Sequence, residues 1–212
     1  MENYQILLGI FGVFIAFGFF CWLHEKRRKN AIKKLSKSLN FSYIENGSEK
    51  LLANFKKLYQ LPSTSNLSAS NILIGSINGI KVTIMEILMS YEKKVTQQTV
   101  ILFESDNIDL PSFICIPENS ILKFSLSILG YNDIDYDSNP KFSKSYLLSG
   151  SRQNEVRKVF NNKVLDFFEN NKNLYVMGNN NKLMIYQTKK RIPVKNIKTY
   201  LENYLNLIRQ LN

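Results

Sequence analysis

The chain has 212 residues and a formal net charge of +11, from 28 basic and 17 acidic side chains. Beyond its apolar start, roughly 185 residues remain, which is enough to bury a hydrophobic core without covalent staples. The two cysteines, Cys21 and Cys115, exclude a disulfide framework and a CxxC site. His24, the one histidine, lies at the end of the apolar run, and Cys115 is isolated, so Cys-His and Ser-His-Asp catalytic arrangements and zinc sites built on histidine or cysteine clusters are excluded as well.

Residues 6–23 form an apolar run of 18 residues without a charged side chain. As a helix this run is about 27 Å long, close to the roughly 30 Å hydrocarbon core of a bilayer. Tyr4 and Trp22 lie at its two ends, where aromatic residues prefer the membrane interface. The run therefore predicts an uncleaved transmembrane anchor over residues 1–23.

A strongly basic segment follows, because residues 24–37 carry a net charge of +6 while residues 38–212 carry another +6 over 175 positions. The positive-inside rule predicts a single-pass protein of the cell membrane, with its amino terminus outside and its C-terminal domain in the cytoplasm. We expect residues 24–39 to form a juxtamembrane helix on the anionic lipid of the inner leaflet, a solvated charged face being the alternative. The predicted headgroup contacts are Lys26, Arg27, Arg28, Lys29, Lys33 and Lys34.

Residues 40–212 have the pattern of an α+β domain, an antiparallel sheet with helices packed on it. Asn78-Gly79 lies between two β-branched runs, 72–77 and 80–88, and favours a type I′ hairpin turn. Because the strands come as hairpins and do not alternate regularly with helices, a doubly wound parallel sheet is disfavoured. Further strands are predicted at 95–104, 146–148, 174–177 and 183–186, and helices at 48–60, 118–128, 153–170 and 194–211.

Three aspartates, Asp133, Asp135 and Asp137, alternate along the chain and superficially resemble the start of a calcium-binding loop. Ser138 stands where that loop needs glycine, and Lys144 stands where it needs a bidentate glutamate. No metal is predicted here, and since no glycine-rich phosphate loop is present, no cofactor is predicted either.

Arg152 and Arg157 lie at the start of the predicted helix 153–170. A helix amino terminus offers free N–H groups and a partial positive charge, so these two arginines are candidates for holding an anion or small ligand. An exposed basic turn is the alternative. Because the basic residues of 38–212 are spread out, no nucleic-acid partner is expected.

Several segments together resemble uncharacterised bacterial membrane proteins that have one N-terminal helix and a cytoplasmic domain. The segments are Leu39–Tyr43, Thr96–Val100, Leu110–Phe113 with Pro117-Glu118, and Asn139–Gly150. The resemblance covers nearly the whole chain and implies the same arrangement of anchor and domain. It implies no reaction and no catalytic residues.

These observations predict a non-enzymatic module that binds another protein, or assembles, at the inner leaflet. The rival hypothesis is an enzyme or small-ligand sensor that uses carboxylates and arginines alone. The two differ in whether Asp133, Asp135, Asp137, Arg152 and Arg157 converge in one pocket.

Overall fold

The computed structural model describes residues 2–59, 66–91, 94–119 and 133–211, with the side chains of the first helix from Ile10 onward. The helices are α1 (Glu2–Leu39), α2 (Glu49–Tyr59), α3 (Pro140–Ser145), α4 (Gln153–Val159), α5 (Asn162–Asn170) and α6 (Ile197–Leu211). The strands are β1 (Ser42–Asn46), β2 (Asn66–Ile77), β3 (Ile80–Tyr91), β4 (Lys94–Glu104), β5 (Leu110–Pro117), β6 (Tyr146–Gly150), β7 (Tyr175–Asn180) and β8 (Lys182–Tyr186).

The eight strands form one antiparallel sheet in the order β1-β2-β3-β4-β8-β7-β5-β6. The first four strands follow one another as a meander. The β7–β8 hairpin then lies between β4 and β5, so the second half of the chain completes the sheet that the first half begins. The predicted α+β class with an antiparallel sheet is confirmed.

Local sequence signals explain several of these elements. Asn78 and Gly79 both have positive φ and join β2 to β3, as the predicted hairpin requires. The predicted helix 153–170 is instead two helices, because the Asn161 side chain accepts hydrogen bonds from the backbone N–H groups of Lys163 and Val164 and begins a new helix. The predicted helix 118–128 falls largely outside the described residues.

The core has one layer on each face of the sheet. On one face, the C-terminal half of α1 packs with α4, α5 and α6 around a group of aromatic rings, whereas α2 contributes Phe55 to the other face. The aromatic side chains Phe142, Tyr146, Phe160 and Phe168 are buried and contact one another with centroid separations of 5.1–6.2 Å. Ring pairs at these distances stabilise the interior of a protein.

The predicted membrane topology is contradicted. Across residues 2–59, 66–91, 94–119 and 133–211, none of the helices is both long and apolar enough to cross a membrane. The single-pass, N-out and C-in localisation is therefore not supported.

The close contact between Gly178 on β7 and the Phe113 ring on β5 gives a test of how tightly the sheet is packed. A Cβ added to Gly178 on β7 would lie 2.2–2.9 Å from three atoms of the Phe113 ring. That ring is buried and packs edge-on against Phe160 at 5.0 Å, so it has little room to move. We expect Gly178→Ala to lower the free energy of unfolding by about 1–3 kcal/mol, measured by urea denaturation.

The matched control is Gly18→Ala, because a Cβ at Gly18 has no neighbouring atom within 4 Å among the described residues. This substitution should leave the urea midpoint unchanged or raise it slightly, since alanine favours helix. Equal midpoints for the two variants would show that Phe113 is not held as tightly as its contacts indicate.

Candidate functional site

A buried carboxylate lies in the middle of the sheet. Glu86 is on β3, flanked by apolar residues, and its side chain is 2% exposed. It shares the sheet face of Ile84, which is the face that α1 covers. Because a buried charge is unfavourable unless it is paired and hydrogen-bonded, the surroundings of Glu86 must supply positive charge and donors.

Two arginines supply that charge from opposite parts of the chain. Arg28 on α1 donates from Nε to Glu86 Oε1 at 2.6 Å, and Arg191 donates from Nη2 to Glu86 Oε2 at 2.9 Å. Arg191 also makes a bidentate pair with Glu25 on α1, at 2.5 and 2.8 Å. These four residues, Glu25, Arg28, Glu86 and Arg191, form a charge cluster with two positive and two negative groups.

A bulge in β2, where it pairs with β3, completes the hydrogen bonding of Glu86. The register of β2 against β3 shifts between Ser70 and Leu73, and Asn71 within the shift has φ of 50°. A bulge redirects a side chain, and here the Asn71 amide donates to Glu86 Oε2 at 2.8 Å. Asn71 in turn accepts from the Tyr43 hydroxyl at 2.9 Å, so β1 is linked to the charge cluster as well.

The segment that carries Arg191 is fixed to β4 by two buried polar side chains. Gln98 accepts from the backbone N–H of Lys189 at 3.2 Å, and Thr99 accepts from the N–H of Ile192 at 2.9 Å. The carbonyl of Ile192 accepts from Arg28 at 2.9 Å. The arginine that binds α1 is therefore held in place by the sheet.

The contacts between Glu25 and Arg191 shift the pKa values of both groups. The hydrogen bond from Arg191 lowers the pKa of Glu25, with partial burial opposing it. Burial lowers the pKa of the Arg191 guanidinium, but its bonds to Glu25 and Glu86 outweigh this effect and raise the pKa above its ordinary value. Each charge thus favours the ionised form of the other.

The six basic residues predicted as headgroup contacts are divided by the structure. Arg28 belongs to the charge cluster, on the side of α1 that faces the sheet, and its side chain is 11% exposed. Lys29 pairs with Glu45, and Lys33 lies 5.1 Å from the centroid of the Tyr43 ring. Lys26, Arg27 and Lys34 are exposed. The predicted basic face is therefore in part a docking face, because a helix turns Arg28 toward the sheet together with Ile32 and Leu35.

The residues of the rival hypothesis do not gather in one cleft. Asp133 accepts from the backbone N–H of Leu148 at 3.1 Å, and Arg157 donates to the backbone carbonyl of Asp135 at 2.8 Å. Arg152 pairs with Glu155 at 2.9 Å on the exposed surface. Asp137 is exposed. Within the described parts of the chain, no three histidine, cysteine or acidic side chains are grouped so that they could hold a metal ion.

A cleft of about 430 Å³ opens beside the charge cluster, lined by Val95, Thr96, Gln97, Lys189 and Arg191. Because the Arg191 charge is already matched by two carboxylates, the cleft offers Lys189 as its unneutralised positive group. The charge cluster fixes α1 to the sheet through hydrogen-bonded ion pairs.

Sequence reasoning missed the charge cluster, although two local signals were present. Glu25, Arg28, Ile32 and Leu35 recur at helical spacing of three and four residues, which places them on one face of α1. A charged pair in line with two buried apolar residues indicates a face that docks. Glu86 within an apolar strand was the second signal.

Comparison with known proteins finds a similar fold but identifies no family. No family model and no curated protein matches the chain. Its structure is similar to the crystal structure of the mycobacterial trehalose monomycolate transport factor A, TtfA, with a TM-score of 0.50 and 14% identity. The likeness covers 86% of this chain and 90% of that one. The two share an overall fold, and the resemblance to uncharacterised membrane proteins stays a prediction.

The position of Glu86 between two guanidinium groups gives a test of the charge cluster. We expect Glu86→Gln to lower the free energy of unfolding by about 3–5 kcal/mol, because it leaves Arg28 buried without a counter-charge. The measurement is the urea midpoint of the full chain. Glu45→Gln is the matched control, since its pair with Lys29 is exposed and exposed pairs contribute little. If both variants unfold at the wild-type midpoint, the cluster does not stabilise the fold.

The lowered pKa of Glu25 predicts a pH dependence. A carboxyl whose pKa is depressed on folding stabilises the folded state above its unfolded pKa, about 4.3, and loses this contribution as the pH falls through the folded value. The stability difference between the wild type and Glu25→Gln should therefore be full at pH 7 and shrink below about pH 4. Urea titrations of both proteins at pH 7 and pH 3 measure it.

Glu202→Gln serves as the control for this titration, because Glu202 is exposed on α6 away from the charge cluster. A difference between wild type and Glu25→Gln that stays constant from pH 7 to pH 3 would contradict the assigned Glu25–Arg191 pair.

Proposed function

We propose that this protein is a non-enzymatic interaction module that binds another protein through the apolar part of α1. The observation that carries the proposal is the exposure of residues 10–22. Nine large apolar side chains there are between 51% and 70% exposed, namely Ile10, Phe11, Val13, Phe14, Ile15, Phe17, Phe19, Phe20 and Trp22. Contiguous exposed apolar surface of this kind marks an interaction site, and a helix that is apolar all round is normally covered by other apolar groups.

The charge cluster supports the proposal, because it holds the rest of the same helix. Glu25 and Arg28 bind Arg191 and Glu86, while Ile32 and Leu35 are buried against the sheet. The apolar residues 10–22 thus extend from a fixed base. A surface presented from a fixed helix loses less conformational freedom on binding than a loose segment does.

The groups available for chemistry support a non-enzymatic role. Cys115 is completely buried, and burial raises the pKa of its thiol, which opposes thiolate formation. His24 lies on α1 beside Glu25, and the two are exposed at the edge of the charge cluster.

Site-specific photo-crosslinking tests the proposal. A photoreactive phenylalanine analogue in place of Phe14, introduced into the full chain in its native cells, should give a discrete protein adduct. The same group at Val95 is the control, since Val95 is 63% exposed on β4 and lies outside residues 10–22. We expect Phe14→Ser with Phe17→Ser to abolish an adduct formed through a crosslinker at Phe20, while Val95→Ser leaves that adduct unchanged.

Two results would contradict the proposal. One is equal labelling from positions 14 and 95, which would indicate random collisions. The other is labelling of lipid alone, together with co-flotation of the purified chain with phosphatidylglycerol vesicles that depends on Phe14 and Phe17. That outcome would assign the apolar residues to a lipid surface in place of a protein.

A further inference from the structure

A polar pocket lies among the C-terminal elements of the chain. It has a volume of about 370 Å³ and lies between the end of α5, the end of β8 and one side of α6. Its size falls at the lower end of the roughly 300–1,000 Å³ range of small-molecule sites. The residues that matter for its chemistry are Asn170, Asn171, Lys172, Gln187, Tyr200 and Asn203.

Hydrogen bonds within the protein fix the walls of this pocket. Asn203 donates from Nδ2 to Asn171 Oδ1 at 2.7 Å, and Asn171 donates from Nδ2 to the Phe167 carbonyl at 2.8 Å. Gln187 donates from Nε2 to the Lys172 carbonyl at 2.9 Å. Each amide thus uses one of its two N–H donors to hold the wall, and its second N–H and acceptor capacity on its carbonyl oxygen remain for a ligand.

One side-chain carbonyl oxygen of the pocket lacks a hydrogen-bond donor among the described residues. Gln187 Oε1 is buried and has no hydrogen-bond partner among the described residues. A buried acceptor without a donor costs about 1–3 kcal/mol, and a water or a ligand in the pocket can supply that donor. The ligand is therefore expected to carry N–H or O–H groups.

The charges around the pocket limit what kind of donor fits. Lys172 lines it, and Lys190 donates to the Tyr200 hydroxyl at 3.1 Å, whereas no carboxylate is among the described lining residues. A cationic donor would meet two ammonium groups without a counter-charge, which is unfavourable. Neutral hydroxyl groups meet the need of Gln187 Oε1 without that repulsion. The Tyr200 ring, which has Lys190 Nζ 5.5 Å from its centroid, lines the pocket beside the amides and offers carbon surface for the C–H groups of a sugar ring.

We propose that this pocket binds a neutral polyhydroxylated ligand of mono- or disaccharide size, with a hydroxyl donated to Gln187 Oε1 and the sugar ring against Tyr200. The pocket does not include the apolar residues of α1. If no sugar bound to it, the proposed protein interaction through α1 would therefore be unaffected.

Ligand-observed NMR on the full chain tests the pocket, with glucose and sucrose as probes. Saturation transfer to both sugars is expected at millimolar concentrations. Gln187→Met removes the acceptor at similar size and should weaken binding about fivefold or more. Gln153→Met is the matched control, because Gln153 is exposed on α4 and should leave the affinity unchanged. Tyr200→Ala gives an independent variant that does not touch the Gln187–Lys172 hydrogen bond, and it should weaken binding as well.

Three outcomes would overturn the proposal. The first is the absence of saturation transfer to glucose and sucrose in a chain with a native circular-dichroism spectrum. The second is binding that neither Gln187→Met nor Tyr200→Ala weakens, which would place the sugar elsewhere. The third is inorganic phosphate or glucose 6-phosphate binding more tightly than glucose and depending on Lys172, which would make the pocket an anion site.

Discussion

The buried carboxylate of Glu86 is the constraint on which much of the rest depends. A charge in the middle of a sheet destabilises the fold unless donors and opposite charge surround it. Three separate features meet that need, since α1 brings Arg28, the bulge of β2 brings Asn71, and the segment after β8 brings Arg191. Removing any one of them would leave Glu86 incompletely paired. The orientation of α1 is therefore tied to the interior of the sheet.

Local patterns predicted a large part of the fold. The Asn78-Gly79 turn is encoded in two adjacent residues whose backbone preferences leave few alternatives, so the hairpin and its register followed. The break after Val159 was missed, because apolar spacing continues through Phe160 and Val164 even though Asn161 begins a new helix. Apolar periodicity reports which face is buried and does not report where a cap interrupts the helix.

The candidate site was beyond local patterns for a different reason. Its partners are 58 positions apart in the Arg28–Glu86 bond and 105 in the Glu86–Arg191 bond, and the strand order that unites them is a property of the whole sheet. The basic residues after Leu23 illustrate the same limit. Read along the chain they form a single cationic run, but the helix turns Arg28 inward and leaves Arg27 and Lys34 exposed.

The two halves of α1 differ in their exposure to solvent. Its C-terminal half is fixed by balanced charges and by Ile32 and Leu35, whereas residues 10–22 expose aromatic and aliphatic surface that nothing in the described structure covers. The exposed apolar surface does not stabilise the fold, and exposed apolar surface lowers solubility. In the proposed function a binding partner covers the exposed half, while the charge cluster fixes the other half of the same helix to the sheet.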